Sequence, residues 1–175
     1  DDGTAIFWNN AYFQAPENQT TDKRTRTFSY ASLTYDVSKN ISVMGKVSYD
    51  NSELFIENRL ALGSILQGFG SSGNGVASGY ARENTSRNEI NYDLLLNYKF
   101  DITDKINVSG VVGGNVRRNN LNDIYASTEG GLVVPGLYAL GNSKGATLAP
   151  AEFVSTVETN SAFATASFDF YKIFY

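Results

Sequence analysis

The sequence predicts an all-β fold: an antiparallel transmembrane β-barrel segment of long strands with short periplasmic turns and long extracellular loops. Three observations predict it. Apolar and polar residues alternate with period two over several runs, short polar turns join neighbouring runs at one end, and stretches of roughly 35 to 40 residues join them at the other. A soluble β-sandwich has short connections at both ends, with strands recurring about every 8 to 12 residues. The directional asymmetry, more than the alternation, separates the two.

The elements follow in order. Phe7 to Gln14 is read as a first strand, bringing the visible strands to six. From Ser29 to Val37 the apolar set is Ala31, Leu33, Tyr35 and Val37, with Ser32, Thr34 and Asp36 between. From Ile41 to Tyr49, Ile41, Val43, Val47 and Tyr49 alternate with Ser42, Lys46 and Ser48. Glu89 to Phe100 places Ile90, Tyr92, Leu94, Leu96, Tyr98 and Phe100 on one face, Leu95 being the exception on the other. Ile106 to Val116 repeats the pattern, and the run near Asn160 to Tyr175 sets Ala162, Ala164, Ala166, Phe168 and Phe170 opposite Phe163, Thr165, Ser167 and Asp169. Aromatic residues near the ends of these runs fit an interfacial girdle.

Two hairpins repeat one another. "YDVSKNISVMG", Tyr35 to Gly45, aligns without a gap on "FDITDKINVSG", Phe100 to Gly110. Each carries a short polar turn, Ser38-Lys39-Asn40 or Thr103-Asp104-Lys105, of the kind that joins antiparallel neighbours. The smallest outer-membrane barrels need eight strands, and an open edge is costly in lipid. Six strands therefore imply either two more within the long loops or a larger barrel.

Composition narrows the function. The chain has 175 residues, 42% of them hydrophobic, with 11 Tyr, 11 Phe, 16 Gly and 3 Pro. That supports a core and favours strands and turns. Having no His and no Cys, it lacks required parts of a typical zinc site, a Ser-His-Asp triad, a thiol nucleophile and a disulfide framework. No cofactor or metal is expected. A net charge of -4 and two short basic clusters, Asp22 to Arg26 and Arg117-Arg118, argue against a nucleic-acid partner. No apolar window is long enough for a transmembrane helix, and no basic and apolar leader pattern opens the chain, which is read as mature or as a piece of something longer.

Glu89, Asn91, Asp93 and Asn97 share the polar face of one run and are the lumen-facing candidates. Glu89 and Asp93 lie four apart on a strand, roughly 13 Å, too far for the carboxylate pair of a retaining glycosidase, so a hydrated wall is the expected role. Asn119 to Asp123 lacks the spacing of a calcium loop and is read as turn-forming. Gly70 to Gly75 lacks the Lys-Ser/Thr of a phosphate loop and is read as a loop tip. "EGGLVVPGLYAL" has no alternation, and Pro135 cannot donate to a ladder. It is expected to be an ordered extracellular loop, with Val133, Val134, Pro135, Leu137 and Tyr138 packing against neighbouring loops, a plug or a lid partner.

Taken together, "TSRNEINYDLLLNYKFDITDKINVSGVVGGNVRRNN", "ASTEGGLVVPGLYALGNSKG" and "NSAFATASFDFYKIFY" resemble the barrel of SusC/RagA-like TonB-dependent outer-membrane transporters. The most specific part is Gly130 to Tyr138. The match is looser near Phe7-Trp8, which Asn9-Asn10 follows in place of that family's aromatic segment. The resemblance implies residues 1–175 to be part of a single barrel domain, with the plug domain and remaining strands absent. It further implies a bacterial outer-membrane location in contact with the lipid bilayer, and import of oligosaccharides or peptides with TonB and a SusD-like surface lipoprotein. It implies a transporter segment and not an enzyme. Two other readings of the residues stay open: a complete eight-stranded barrel acting as an adhesin or anchor, and a soluble all-β carbohydrate-binding module stacking sugars on Trp8, Tyr12 and Tyr80.

Overall fold

The computed structural model describes residues 11–65 and 76–170. Five strands form one sheet in chain order: β1 (Thr20–Ser38), β2 (Ile41–Ile65), β3 (Val76–Thr103), β4 (Ile106–Ser127) and β5 (Ala151–Phe170). A short helix, α1 (Ala11–Glu17), precedes them, and a 3-10 turn, η1 (Leu140–Asn142), lies in the connection between β4 and β5. Among the described residues β1 and β5 do not pair, so the sheet has two open edges.

The tight turns fall where the repeat puts them. Lys39-Asn40 joins β1 to β2 and Asp104-Lys105 joins β3 to β4. The repeat extends to the bonding: Ser38 Oγ accepts the Asn40 N–H at 3.2 Å, and the aligned Thr103 Oγ1 accepts the Lys105 N–H at 3.3 Å. A hydroxyl two residues before the donor closes a local turn, which is why Ser and Thr occupy this position.

Three expectations change. The Phe7 to Gln14 strand is not formed over its described part: Ala11 to Gln14 is helical, and Phe7 to Asn10 lie outside the described residues. Ala, Gln and Glu are good helix formers, and no period-two pattern opposes them there. The long stretch after Asp50 is mostly strand, because β2 has 25 residues and β3 has 28. Beyond Asp50 the strands carry Asn51, Ser52, Glu53, Glu57, Asn58 and Arg59, so they lose the apolar row that makes alternation visible while keeping their ladder. Asn119 to Asp123 lies inside β4 and does not turn. Asn119 donates to Glu89, Asn120 accepts from Thr156, and Asp123 accepts from Thr85, so cross-strand pairing overrides local turn preference. The Gly70 to Gly75 reading lies outside the described residues.

The described residues fall into two compact units. A loop-side unit lies within Asp1–Thr25, Glu53–Ser86 and Leu121–Val154, and a turn-side unit within Arg26–Ser52, Arg87–Asn120 and Ser155–Tyr175. In the loop-side unit Leu60, Ala61, Tyr80, Ala81 and Leu132 are buried, with Ser64, Ser78, Thr128 and Asn142 among them. Here α1 is tied down by Asn18, whose Oδ1 accepts the Ala61 N–H at 2.9 Å and whose Nδ2 donates to Ser64 Oγ at 2.9 Å.

In the turn-side unit, β3 separates its two faces cleanly. Tyr92, Leu94 and Leu96 are exposed, Leu94 at 62%, while Glu89, Asn91, Asp93 and Asn97 between them are half-buried. Two glycines of β4 are close-packed. A Cβ at Gly110 would strike the Thr165 carbonyl and the Tyr98 ring, because the Tyr98 hydroxyl reaches across Gly110 to donate to Thr165 O at 3.0 Å. At Gly113 a Cβ would lie 2.6 Å from both Leu95 Cδ2 and Phe163 Cζ. Leu95, the one break in the alternation, and Phe163 from β5 thus meet over the glycine in the gap between them.

Candidate functional site: a polar wall and a latched loop

The turn-side unit presents a polar face built from residues two apart on adjacent strands, the geometry in which cross-strand neighbours touch. Glu89 accepts from Asn91 Nδ2 at 2.9 Å and from Asn119 Nδ2 at 3.1 Å. Asp93 accepts from Asn115 Nδ2 at 2.6 Å, and Asn97 Nδ2 lies 3.4 Å from Ser42 Oγ. Arg26 makes a two-pronged pair with Asp50, Nε to Oδ1 at 2.9 Å and the second nitrogen to Oδ2 at 2.5 Å. All four wall candidates therefore join one polar face. Asn115, Asn119, Asp50, Arg26 and Ser42 also belong to it. Asn115 and Asn119 were visible in principle, since they sit two and six residues past Gly113 in the same alternation. Glu89 and Asp93 each hold a separate asparagine and share no ligand position. Among the described residues no cluster of three or more His, Cys, Asp or Glu gathers. Depressions of about 370 Å³ beside Gly114 and 350 Å³ beside Gly45 are shallow and mainly apolar, without the convergent polar groups of a small-molecule site.

The loop-side unit explains the aperiodic stretch after β4 residue by residue. Pro135 and Gly136 occupy the centre of a β-turn closed by Leu137 N–H to Val134 O at 3.3 Å, with Gly136 at φ +79°. A proline followed by a positive-φ glycine is the type II combination. Gly130 and Gly131 also have positive φ, +67° and +99°, and a Cβ on Gly131 would sit 3.1 Å from Ser78 Oγ. The loop doubles back on itself: Val133 N–H donates to Asn142 O at 2.9 Å, Lys144 N–H to Gly131 O at 2.9 Å, and Gly145 N–H to Glu129 O at 2.8 Å. Asn142, buried, uses its whole amide: Oδ1 accepts from Val134 N–H at 3.0 Å, and Nδ2 donates to Val134 O at 2.8 Å and Leu137 O at 2.7 Å. The loop is then fastened to β3. Thr128 N–H donates to Tyr80 O at 2.9 Å, the Tyr80 N–H donates to Thr128 Oγ1 at 2.9 Å, and Leu132 N–H donates to Ser78 Oγ at 3.0 Å.

Burial within this loop falls on a residue outside the expected set. Leu132 is 2% exposed and is the anchor, whereas Val133, Val134 and Leu137 are more than half exposed, Pro135 is exposed and Tyr138 is half-buried. The bonds give the reason: Leu132 is fastened to Ser78 of β3, whereas the Pro135-Gly136 turn is closed by Asn142 and Leu137 within the loop itself. Packing within this chain is thus carried by Leu132, and the Val133 to Leu137 tip is left presented.

Beside the loop lies a charged group that sequence reading missed. The Tyr80 hydroxyl donates to Glu57 Oε1 at 2.5 Å, and Arg59 pairs with Glu57 Oε2 at 3.2 Å. The Arg59 guanidinium lies 5.5 Å from the centre of the Tyr138 ring, and that of Arg82 lies 4.5 Å from the centre of Phe55. The Tyr80 hydrogen bond, followed by the two arginines, holds the Glu57 carboxyl below its ordinary range against the opposing cost of burial. Burial, then Glu57, raises the Tyr80 phenol. Tyr138 is also raised, by burial first and the Glu17 charge second. Tyr80 is only 6% exposed, so it cannot serve as the sugar-stacking surface of a soluble binding module.

These features define a class: an antiparallel wall with one exposed apolar row, one hydrogen-bonded polar face and a rigid loop. Solved structures give it a closer likeness. The chain is similar to the structure of the RagAB peptide transporter, with a TM-score of 0.78, 15% identity and 92% of this chain covered. It is similar also to the RagAB peptide importer in its open-open and closed-closed states, each with a TM-score of 0.71 and 14% identity. In every case the match spans 17% of the other chain. No family model matches the sequence, and no curated protein matches it. The fold likeness meets the sequence resemblance to SusC/RagA-like transporters on the same architecture, an antiparallel sheet of long strands.

Proposed function

We propose that the chain is part of the wall of a TonB-dependent importer in the bacterial outer membrane. The observation that carries this is the 0.78 TM-score over 92% of the chain to a transporter, on a sheet whose apolar row is exposed. In this reading residues 1–175 belong to one barrel domain. Tyr92, Leu94 and Leu96 face lipid, and Glu89, Asn91, Asp93 and Asn97 face the lumen. The wall's amide and carboxylate groups suit a polar cargo, a peptide or an oligosaccharide; the structural neighbours carry peptides, which puts peptides first. The role in this reading is passage, as in the transporters whose fold the chain resembles.

The latched loop is proposed as the contact for a SusD-like lipoprotein. Val133, Val134, Pro135, Leu137 and Tyr138 sit at or beside its presented tip, and an apolar tip held by buried hydrogen bonds loses little entropy on docking. Five strands with two open edges favour a segment of a larger barrel over a complete eight-stranded one.

Fluorophores attached to single cysteines test the wall. In the protein reconstituted in vesicles, a dye at Leu94→Cys is quenched by spin-labelled lipid and a dye at Asp93→Cys by aqueous iodide. Equal quenching of both dyes by either agent sinks the reading, and a protein that stays dispersed without detergent restores the soluble module.

A further inference from the structure

Arg82 is exposed, and its guanidinium is held against the Phe55 ring at 4.5 Å. Its N–H edge has no hydrogen bond or ion pair among the described residues. Glu57, the nearby carboxylate, is already committed to the Tyr80 hydroxyl and to Arg59. Arg59 lies under Tyr138, and its buried Nε has no partner among the described residues. Arg59 is paired with Glu57, whereas the Arg82 guanidinium keeps its donors unpaired among the described residues, held in place by the Phe55 ring. Stacked guanidinium with open edges is the arrangement that binds an oxyanion in the plane of the fork.

The sequence suggests where such an anion would come from. Along β2 the odd positions run Ile41, Val43, Gly45, Val47 and Tyr49, then Asn51 and Glu53, then Phe55, Glu57 and Arg59. An apolar run that ends on an aromatic residue and gives way to polar and charged ones is the order of residues passing from hydrocarbon through the headgroup layer. We propose that Arg82 and Arg59 bind a phosphate oxyanion, supplied by a lipid headgroup at the rim of the bilayer; this rests on the membrane-wall reading above.

Native mass spectrometry of the detergent-solubilised protein, with added dilauroyl phosphatidylglycerol or with inorganic phosphate, tests it. Retention of the lipid is expected to fall about tenfold in Arg82→Gln, the loss of one charge-assisted contact, and to stay unchanged in Arg87→Gln, an exposed arginine of the same strand. Arg82 is exposed, so the unfolding midpoint should not move and misfolding is not an explanation. Displacement of the lipid by inorganic phosphate assigns the site to free phosphate as well; persistence of the lipid together with the Arg82→Gln loss assigns it to the headgroup. Equal retention in wild type and Arg82→Gln, or equal loss in both variants, overturns the proposal. A protein needing no detergent would refute the membrane reading separately, and the inorganic phosphate arm would still read the arginine pair.

Discussion

In the loop-side unit Leu60, Ala61, Tyr80, Ala81 and Leu132 are shut away from solvent. In the turn-side unit the described residues include no buried side chain, and Leu33, Leu94, Val112 and Phe168 stand between 49% and 77% exposed. Both are built from the same five strands. One has an ordinary apolar core; the other holds its shape with glycine notches, a tyrosine strap and cross-strand amides, and leaves its apolar row outward. In water that row would be a liability, since exposed apolar patches of this extent mark interaction surfaces. The difference is the one the proposed membrane-wall reading calls for, because an apolar row covered by lipid needs no core beneath it.

The strongest way to break this comparison is to strike the turn-side unit at its tightest point. Gly110→Val would drive a branched side chain into the Thr165 carbonyl and the Tyr98 hydroxyl. One contact is backbone and cannot swing aside, so the cost should exceed the ~3 kcal/mol usual for overpacking. Refolding yield in detergent should collapse. Tyr98→Phe removes the strap hydroxyl while leaving the ring, and should lower the unfolding free energy read from urea titration by only about 1 kcal/mol. A wild-type yield for Gly110→Val would mean the notch is not needed.

Leucine truncations sharpen the comparison directly. Leu132→Ala should destabilise by about 2 to 5 kcal/mol, because it empties a site that is 2% exposed. Leu94→Ala, at 62% exposure, should change detergent-state stability by less than about 0.5 kcal/mol. Urea unfolding of both variants in one detergent reads the contrast. If Leu94→Ala costs as much as Leu132→Ala, the outward row is a covered core and the membrane-wall reading fails.

Much of the turn-side unit was legible because a sheet with one apolar and one polar face writes itself into period two. The turns at Lys39-Asn40 and Asp104-Lys105 fall where that pattern put them, and Glu89, Asn91, Asp93 and Asn97 share one polar face, whose lumen-facing role is the proposal made above. The loop-side unit was harder. Its strands past Asp50 have no continuous apolar row, so pattern gave no sign that β2 reaches Ile65. Glu57, Arg59, Tyr80 and Arg82 lie on two strands and meet through register alone, which spacing along one chain does not reveal. The motif around Pro135 was recognisable, but Leu132 and Asn142, the residues that hold it, are an ordinary leucine and asparagine in sequence.

Asn142→Ala tests the latch at a smaller scale. It removes three hydrogen bonds from a buried amide and leaves the Val134 and Leu137 backbone groups partly unpaired, worth about 1 to 3 kcal/mol. The effect should be local: amide exchange at residues 133–142 should accelerate while exchange across β4 residues 106–116 stays slow. Uniform acceleration would show the loop and wall to be one cooperative unit.

The smallest expected effect is one of pH, and its sign follows from Glu57 and Tyr80. The Glu57 carboxyl is lower in the folded protein than in the unfolded chain, mainly through the Tyr80 hydroxyl. Its contribution is therefore present above the unfolded value, about 4.3, and is lost as pH falls through the depressed folded value. Tyr80 is raised, so its contribution is present below the unfolded phenol value of about 10 and is lost as pH climbs through the folded one. Between those limits the attachment of Tyr80 should be flat with pH. Exchange at Thr128 and Leu132, whose N–H groups bond to Tyr80 O and Ser78 Oγ, should quicken only below the ordinary carboxylate range. In Glu57→Gln that acid step should vanish, because a neutral amide has no proton to gain. An acid step that survives the substitution would assign it to another carboxylate and detach Glu57 from the latch, leaving Leu132 and Asn142 to hold the loop without help from charge.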